Sequence, residues 1–388
     1  MRDAAARRYA RRVTSAAPFP FARLSRLPDL EAPGLVAADA ADRLILDESA
    51  DARAAAAAGE IAVIGDAYGA LALGAAWDGG TGIRVHQDAL AGERALARNA
   101  AALGLAGHVS SLPLSAKLVS GARVVLLRLP RSLDALDDIA ALIAAHAHPD
   151  VVVWAGGRLK HMSLAMNDVF ARSFDRLDVT LARQKSRVLV ARGPHDGHDP
   201  VPAEGDADGL ALRAFGGAFA GARLDIGTRL LLAHLPQDPA GGSASDPLID
   251  FACGTGAVAA HLALAHPGRH VYASDQSAAA VASARATAAA NGVDDRVEVA
   301  RDDLLQARAD ASASFIALNP PFHSGAAVTD RLAPRMFADA ARVLRPGGEL
   351  WCVWNSGLRY RSALERIVGP TRQAARDAKF TVTVSTRR

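Results

Sequence analysis

A strand, a glycine loop and a helix recur twice in this chain at one spacing, and that repeat restricts the fold more than any other feature. The apolar run Ile61-Ala62-Val63-Ile64 leads through Gly65 and Gly69 into an apolar helical stretch. Leu248-Ile249-Asp250 leads through Cys253-Gly254-Thr255-Gly256 into the stretch Ala257 to Ala265. Nineteen residues separate Gly69 from Asp88, and 19 separate Gly256 from Asp275. Pro130 follows Asp88 by 42 residues, and Pro320 follows Asp275 by 45. Strands alternating with helices build a parallel sheet covered on both faces. The spacing therefore predicts two copies of one α/β unit, 187 residues apart.

A chain of 388 residues has room for two such domains. The expected division is an irregular basic lead-in over 1–34, a first copy over 35–192, a linker over 193–209 rich in Gly, Pro and Asp, and a second copy over 210–388. No apolar run approaches the length of a membrane span. Arg2, Arg7, Arg8, Arg11 and Arg12 are not followed by the apolar core of a secretory signal. Cys253 and Cys352 are too few for a disulfide framework and fit a reducing cytoplasm. The net charge is +3 and the basic residues are nearly all arginine, which forks onto phosphates and stacks on bases. That permits a nucleic-acid partner without requiring one, because a GC-rich genome also produces an Ala- and Arg-rich chain.

Only the second copy carries a full set of polar residues. With Gly69 aligned on Gly256, Val63 stands where the second copy has Asp250, and Ala67 where it has Gly254. The first copy ends its fourth strand in Leu129-Pro130-Arg131. In the second copy, the loop Phe251-Ala252-Cys253-Gly254-Thr255-Gly256 turns from strand to helix, where glycines let a ligand approach the backbone and the helix N-terminus favours an anion. Asp275 ends the next strand, placed to accept the hydroxyls of a ribose, with helix capping as the alternative. These features fit NAD and S-adenosylmethionine equally. Asp250 favours the sulfonium cofactor: a carboxylate there orders the loop and meets a methionine amine, and it would repel a pyrophosphate. Asp303 ends the third strand, where it would accept an adenine amino group, with Asp302 as the alternative and a solvated acidic turn as the plainer reading.

The fourth strand, Ser314 to Leu318, stops at Asn319-Pro320-Pro321-Phe322-His323. Neither proline can donate to a sheet ladder, so the bland reading is a turn. The chemical reading concerns an exocyclic amine on a base, a poor nucleophile because its lone pair is conjugated with the ring. The Asn319 amide oxygen and the Pro320 carbonyl would accept its hydrogens, Pro320 and Pro321 would hold that geometry rigid, and Phe322 would stack on a flipped base. His323 reads as structural or as a substrate contact. Thr228 reads as a helix cap or a neighbour of the methionine end. Lys160-His161 reads as a polar loop or an RNA-phosphate contact. No Cys and His cluster has metal-ligand spacing, so no metal is expected.

At Asp250-Phe-Ala-Cys-Gly-Thr-Gly256, Asp275 and Asn319-Pro-Pro-Phe-His323 the chain resembles the class I S-adenosylmethionine-dependent methyltransferases. More narrowly, it is similar to the bacterial ribosomal RNA guanine-N2 methyltransferases of the RsmC and RlmG group, and Leu224-Asp-Ile-Gly-Thr-Arg229 is similar to a signature of that group. Ala38-Asp39-Ala40-Ala41-Asp42, Gly69-Ala70-Leu71 and the Lys160-His161 segment look more like the large-subunit branch, RlmG. The resemblance implies two tandem Rossmann-like domains with mostly parallel seven-stranded sheets, the first degenerate. It implies methyl transfer from S-adenosyl-L-methionine to the N2 amine of a guanine in ribosomal RNA, with the large subunit as the expected source, by a cytoplasmic monomer without metal or membrane. The last hairpin is expected from Glu349 to Trp354 and Phe380 to Val384. Phe251-Ala252 departs from the usual Leu-Gly of the loop. The Asn-Pro-Pro motif also occurs in enzymes acting on an adenine amine or a protein glutamine, commonly with Tyr in place of Phe322. A non-catalytic RNA-binding assembly protein is the alternative of another class, and a dehydrogenase a third.

Overall fold

The same seven-stranded sheet is built twice. The structure, a computed structural model, describes residues 17–321 and 326–388, without the side chains of 326–330. In the first half the strands are β1 (Ile61–Ile64), β2 (Ile83–His86), β3 (Val109–Ser111), β4 (Val124–Arg128), β5 (Val152–Arg158), β6 (Phe174–Val179) and β7 (Ser186–Pro194), in the spatial order β3-β2-β1-β4-β5-β7-β6. A two-stranded hairpin, β8 (Ala203–Ala207) and β9 (Leu210–Ala214), separates them from the second set. That set is β10 (Leu248–Phe251), β11 (Val271–Asp275), β12 (Val297–Arg301), β13 (Ala313–Leu318), β14 (Leu344–Asn355), β15 (Thr371–Arg376) and β16 (Phe380–Thr386), in the order β12-β11-β10-β13-β14-β16-β15. In each sheet five strands run parallel and the last two form the antiparallel hairpin.

The central strands are continuous apolar runs because helices cover both of their faces; all four residues of β1 and of β10 are buried. Each first strand feeds a glycine in the left-handed region, Gly69 at φ 99° and Gly256 at φ 77°, and a helix starts directly after it. A Cβ on Gly256 would lie 2.8 Å from Ala284 Cα. Only glycine lets helix Ala257–Ala265 lie this close to helix Ala278–Ala290.

Several elements differ from the sequence reading. The stretch from Leu35 to Ala58 holds two short helices, Ala40–Glu48 and Ala50–Ala55. The first starts where Asp39 and Asp42 form a reciprocal cap. Strand β5 runs on through Gly156 and Gly157 because a Cβ at Gly156 would meet Ile45 Cγ1 at 2.4 Å, so glycine admits that helix onto the sheet. Glu349 to Trp354 does pair antiparallel with Phe380–Thr386 as expected, but its strand also runs parallel to β13, and β16 takes Thr371–Arg376 as its consecutive hairpin partner on the other side. A helix spans Ile226–Leu232 ahead of β10. Within the stretch read as a linker, Ala203–Ala207 forms β8.

Strand β9 lies along helix Ala278–Ala290. Its amides at Ala211, Arg213 and Phe215 donate to Asn291 Oδ1, Thr287 Oγ1 and Ser283 Oγ at 3.1, 3.0 and 2.9 Å. Two strand residues and four helix residues both advance about 6 Å, so the partners stay in step. The two halves also meet through main chain. Leu90 N donates to Gln276 O at 3.0 Å and Ala278 N to Asp88 O at 2.9 Å, flanking the pair Ala89 and Ser277. The Arg301 guanidinium reaches Glu93 at 2.7 Å and the carbonyls of Gln87 and Asp88 at 2.9 and 3.1 Å. Among the described residues, no helix is long and apolar enough to cross a membrane.

Candidate active site

A cavity of about 670 Å³ opens at the C-terminal ends of β10 to β13, where the loops of a parallel sheet diverge. Ala252, Gly254, Asp275, Asp302, Asp303 and Asn319 line it, with Pro320 and Pro321 beside them. The spacing thus brought most of the expected residues to one wall. Asp250 and Gly256 lie beneath the loop instead, outside that lining.

Asp250 is buried and accepts from Ala259 N at 2.9 Å, which ties the strand tip to the first turn of the next helix. Burial, with Asp275 nearby and only the Ala259 amide opposing, pushes its carboxyl up to about 7. In the loop above it Ala252 is left-handed at φ 59°. Gly254 has nothing within 4 Å of where a Cβ would stand, so its backbone faces open space. The Gly254 amide donates to Asp275 Oδ2 at 3.0 Å, and Ser277 N donates to Asp275 Oδ1 at 2.9 Å. The cap of helix Ala278–Ala290 is Ser277, not Asp275. Burial raises the Asp275 carboxyl as well.

The two acidic residues after β12 have different surroundings. Asp302 Oδ2 accepts from Ala307 N at 2.7 Å and so closes its own loop. Asp303 Oδ2 is buried without a hydrogen-bond partner among the described residues; Arg94, from the first half of the chain, stands 3.6 Å away. Burial raises the Asp303 carboxyl, against the pull of Arg94 and Arg335. Gln276 Oε1, on the same wall, is also a buried acceptor without a partner. The sequence reading missed Gln276, and only its place directly after Asp275 marked it.

Asn319 ends β13. Its Nδ2 donates to Thr228 Oγ1 at 2.9 Å and lies 3.4 Å from Asp225 Oδ2, while its Oδ1 is buried with no partner among the described residues. Asp225 caps helix Ile226–Leu232 by accepting from Gly227 N and Thr228 N. Thr228 is therefore neither the cap nor a wall of the cavity but a partner of Asn319. Phe322 and His323 lie outside the described residues. Lys160 and His161 are exposed at the end of β5. His161 is held below the usual imidazole range by slight desolvation and by Arg131, Lys160, Arg158 and Arg128. Neither lines the cavity; Arg131, Asp88 and Ala89 of the first half do.

The corresponding place in the first half is closed. Asp66 accepts from Gly69 N, Leu71 N and Ala72 N, taking over from three positions further along the chain the task that Asp250 performs in the second half. The Gln87 side chain donates to Asp66 O. Tyr68 donates to Asp29 at 2.5 Å and Arg26 covers its ring, so the segment before residue 35 lies over the loop. Strand register pairs Ile64 with Leu127 and Phe251 with Leu318, which puts Arg128 in the slot of Asn319 and Pro130 in that of Pro321. The sequence had matched Pro130 to Pro320, one residue out. Among the described residues, no three His, Cys, Asp or Glu side chains gather as a metal site.

An acidic cavity with open backbone at Gly254, and with acceptors at Asp303, Gln276 and Asn319 that receive no hydrogen bond among the described residues, fits a cationic cofactor that donates hydrogen bonds. It does not fit a pyrophosphate. Comparison with known proteins agrees. Residues 209–384 match the model of the methyltransferase small domain, and residues 14–195 match that of the RLMG N-terminal domain. The chain is 35% identical over 377 residues to ribosomal RNA large subunit methyltransferase G of Streptomyces avermitilis, covering 92% of this chain and 95% of that one. It is 32% identical over 367 residues to the protein of the same name from Shewanella amazonensis, covering 92% and 94%. The fold is shared with the 16S rRNA N2 G1207 methyltransferase RsmC of T. thermophilus, solved with AdoMet and guanosine, at a TM-score of 0.68 and 20% identity over 92% of this chain and 97% of that one. With relatives this similar over nearly its whole length, the chain belongs to the ribosomal RNA large subunit methyltransferase G family.

Proposed function

We propose that this protein transfers a methyl group from S-adenosyl-L-methionine to the exocyclic N2 amine of a guanine in ribosomal RNA of the large subunit, in the cytoplasm. The observation that carries the reading is the Asn319 side chain: a buried, unpartnered carbonyl oxygen at a strand tip, on the wall of an acidic cavity. The relatives' name supplies ribosomal RNA of the large subunit as the substrate class.

The bound cofactor supplies an electrophilic methyl on a cationic sulfur. The chain's residues supply the rest. Asp250 and Gly254 order the loop for the methionine end, Asp275 takes the ribose hydroxyls on its remaining lone pairs, and Asp303, whose Oδ2 accepts no hydrogen bond among the described residues, takes the adenine amino group. Asn319 Oδ1 accepts one hydrogen of the target amine and the Pro320 carbonyl the other. Two prolines fix the backbone there before any substrate arrives, so the alignment is preorganised. Holding both hydrogens turns the amine lone pair out of conjugation and toward the methyl group. A general base is unnecessary, because the methylated, charged amine is acidic enough to lose its proton to water. Phe322 would stack on the base.

The test is transfer of a tritiated methyl group from labelled cofactor to ribosomal RNA, with release-factor protein as the competing acceptor, followed by mapping of N2-methylguanines in a strain lacking this protein. Label in large-subunit RNA that disappears with Asn319→Ala is expected. Label only in protein, or a deletion strain with every N2-methylguanine intact, overturns the reading.

A further inference from the structure

We propose that Asp225 and Thr228 are positioning residues that fix which end of the Asn319 amide faces the reacting group, making the site select a hydrogen-bond donor such as an amine over an acceptor. The proposal rests on the reading above that Asn319 meets the substrate.

An asparagine amide has one accepting end and one donating end, and it can rotate by half a turn. What faces it decides which end points outward. Asp225 Oδ2 stands 3.4 Å from Asn319 Nδ2. An ionised carboxylate has no hydrogen to give, so only the amino end of Asn319 can face it. Thr228 Oγ1, 2.9 Å from the same nitrogen, takes the amide's other hydrogen. Both donors are thereby used, and Oδ1 is left turned away with no partner. A rotated amide would set its oxygen against the Asp225 carboxylate, two acceptors facing each other in a part-buried place. Asp225 is itself held by the amides of Gly227 and Thr228 at 2.9 and 3.2 Å.

The first half of the chain supplies an independent observation, because it retains the clamp without the chemistry. Helix Ala40–Glu48 starts after Asp39 as helix Ile226–Leu232 starts after Asp225, and Asp42 occupies the position of Thr228. The strand tip between them is Arg128, in the slot of Asn319. Arg128 meets Asp39 at 2.8 and 3.2 Å and Asp42 at 3.1 Å. The same three places are in contact in both halves. In one they orient an amide; in the other they absorb a guanidinium, which has donors only and so offers a substrate amine nothing to bond.

The clamp predicts a preference for partners that bring N–H groups to Asn319. A carbonyl or an unprotonated ring nitrogen would meet the Oδ1 lone pairs. Rejection of a group that leaves a buried polar atom unmatched is the strong form of discrimination available to a site.

Three variants, Thr228→Val, Thr228→Ser and Asp225→Asn, test this with the full chain. Single-turnover methyl transfer to the wild type's own RNA substrate gives the rate, and calorimetry gives cofactor affinity. Selective ¹⁵N labelling of the five asparagines gives the solvent exchange of the Asn319 amide hydrogens. Thr228→Val is expected to lower the rate by about ten- to a hundredfold, the scale of a misplaced reacting group, and to speed exchange of those hydrogens. Cofactor affinity should stay within about twofold, and Thr228→Ser should recover both readouts. Asp225→Asn keeps an accepting oxygen for the helix cap but can offer its own NH₂ to Asn319, so it should lower the rate with the fold intact. Rates within about twofold of wild type in both Thr228→Val and Asp225→Asn overturn the proposal, as does a loss of cofactor affinity that accounts for the whole defect. The exchange readout needs no RNA, so it stands even if the substrate is a different amine.

Discussion

The Asp250 carboxylate accepts a hydrogen bond from the Ala259 amide at 2.9 Å and has no cation beside it among the described residues. Burial raises its carboxyl from the ordinary 3.8 to about 7, so the folded chain holds a proton between those values that the unfolded chain gives up. Stability must then fall as pH rises through that window. Asp250→Asn should remove this dependence. At pH 8 the variant without cofactor should melt a few degrees above the wild type, and the gap should narrow steadily as pH falls toward 4. Calorimetry should show cofactor binding lost in the variant, and in the wild type weakening below pH 7 as Asp250 takes up its proton.

Ala252 adopts φ 59° next to the open loop, a conformation that disfavours any residue with a Cβ. Ala252→Gly should relieve about 1 kcal/mol of backbone strain, partly offset by the greater freedom of glycine in the unfolded chain. Urea denaturation should show a midpoint at or slightly above that of the wild type with an unchanged slope. A clear fall would mean that the alanine methyl packs more favourably than its dihedral suggests.

The pair Asp302 and Asp303 should separate cleanly. Asp303→Ala should weaken cofactor binding about tenfold, the scale of a lost hydrogen bond to a charged acceptor, with little change in melting temperature. Asp302→Ala, which orphans the Ala307 amide, should instead lower stability by about 1–2 kcal/mol. Calorimetry and denaturation together distinguish the two; the reverse pattern would reassign the adenine contact to Asp302.

Each chain should bind one cofactor, not two, because Gln87, Arg128 and the lead-in fill the first half's loop. A titration stoichiometry near one, abolished by Asp275→Ala, is the expected result. Arg128→Ala should leave that number unchanged while lowering stability by about 2–3 kcal/mol, since Asp39 and Asp42 would lose their shared cation. For Asp42, which burial already raises to about 6, the loss should push its carboxyl further up.

The sequence revealed the duplicated α/β order and the acidic strand tips, because central parallel strands are apolar throughout and end at abrupt polar residues. It hid the edges. Val109–Ser111 and Phe174–Val179 lie at the margins of the first sheet, where residues such as Ser110, Asp175 and Arg176 carry no apolar signal. It also hid the attachment of β9, since Ser283, Thr287 and Asn291 look like incidental polar residues on an alanine-rich helix. The Thr228 contact was out of reach because it joins residues 91 positions apart, and only the folded sheet sets that distance. The one-residue misalignment of Pro130 had the same source: strand register is a property of hydrogen bonding, not of prolines.

The seam between the halves is written in backbone atoms at Leu90, Gln276, Asp88 and Ala278. Peptide groups do not change when codons do, apart from those that become proline. Side chains on either flank of this joint can drift without parting the two copies. A duplicated unit bound in this way is free to forget its chemistry and still cannot leave.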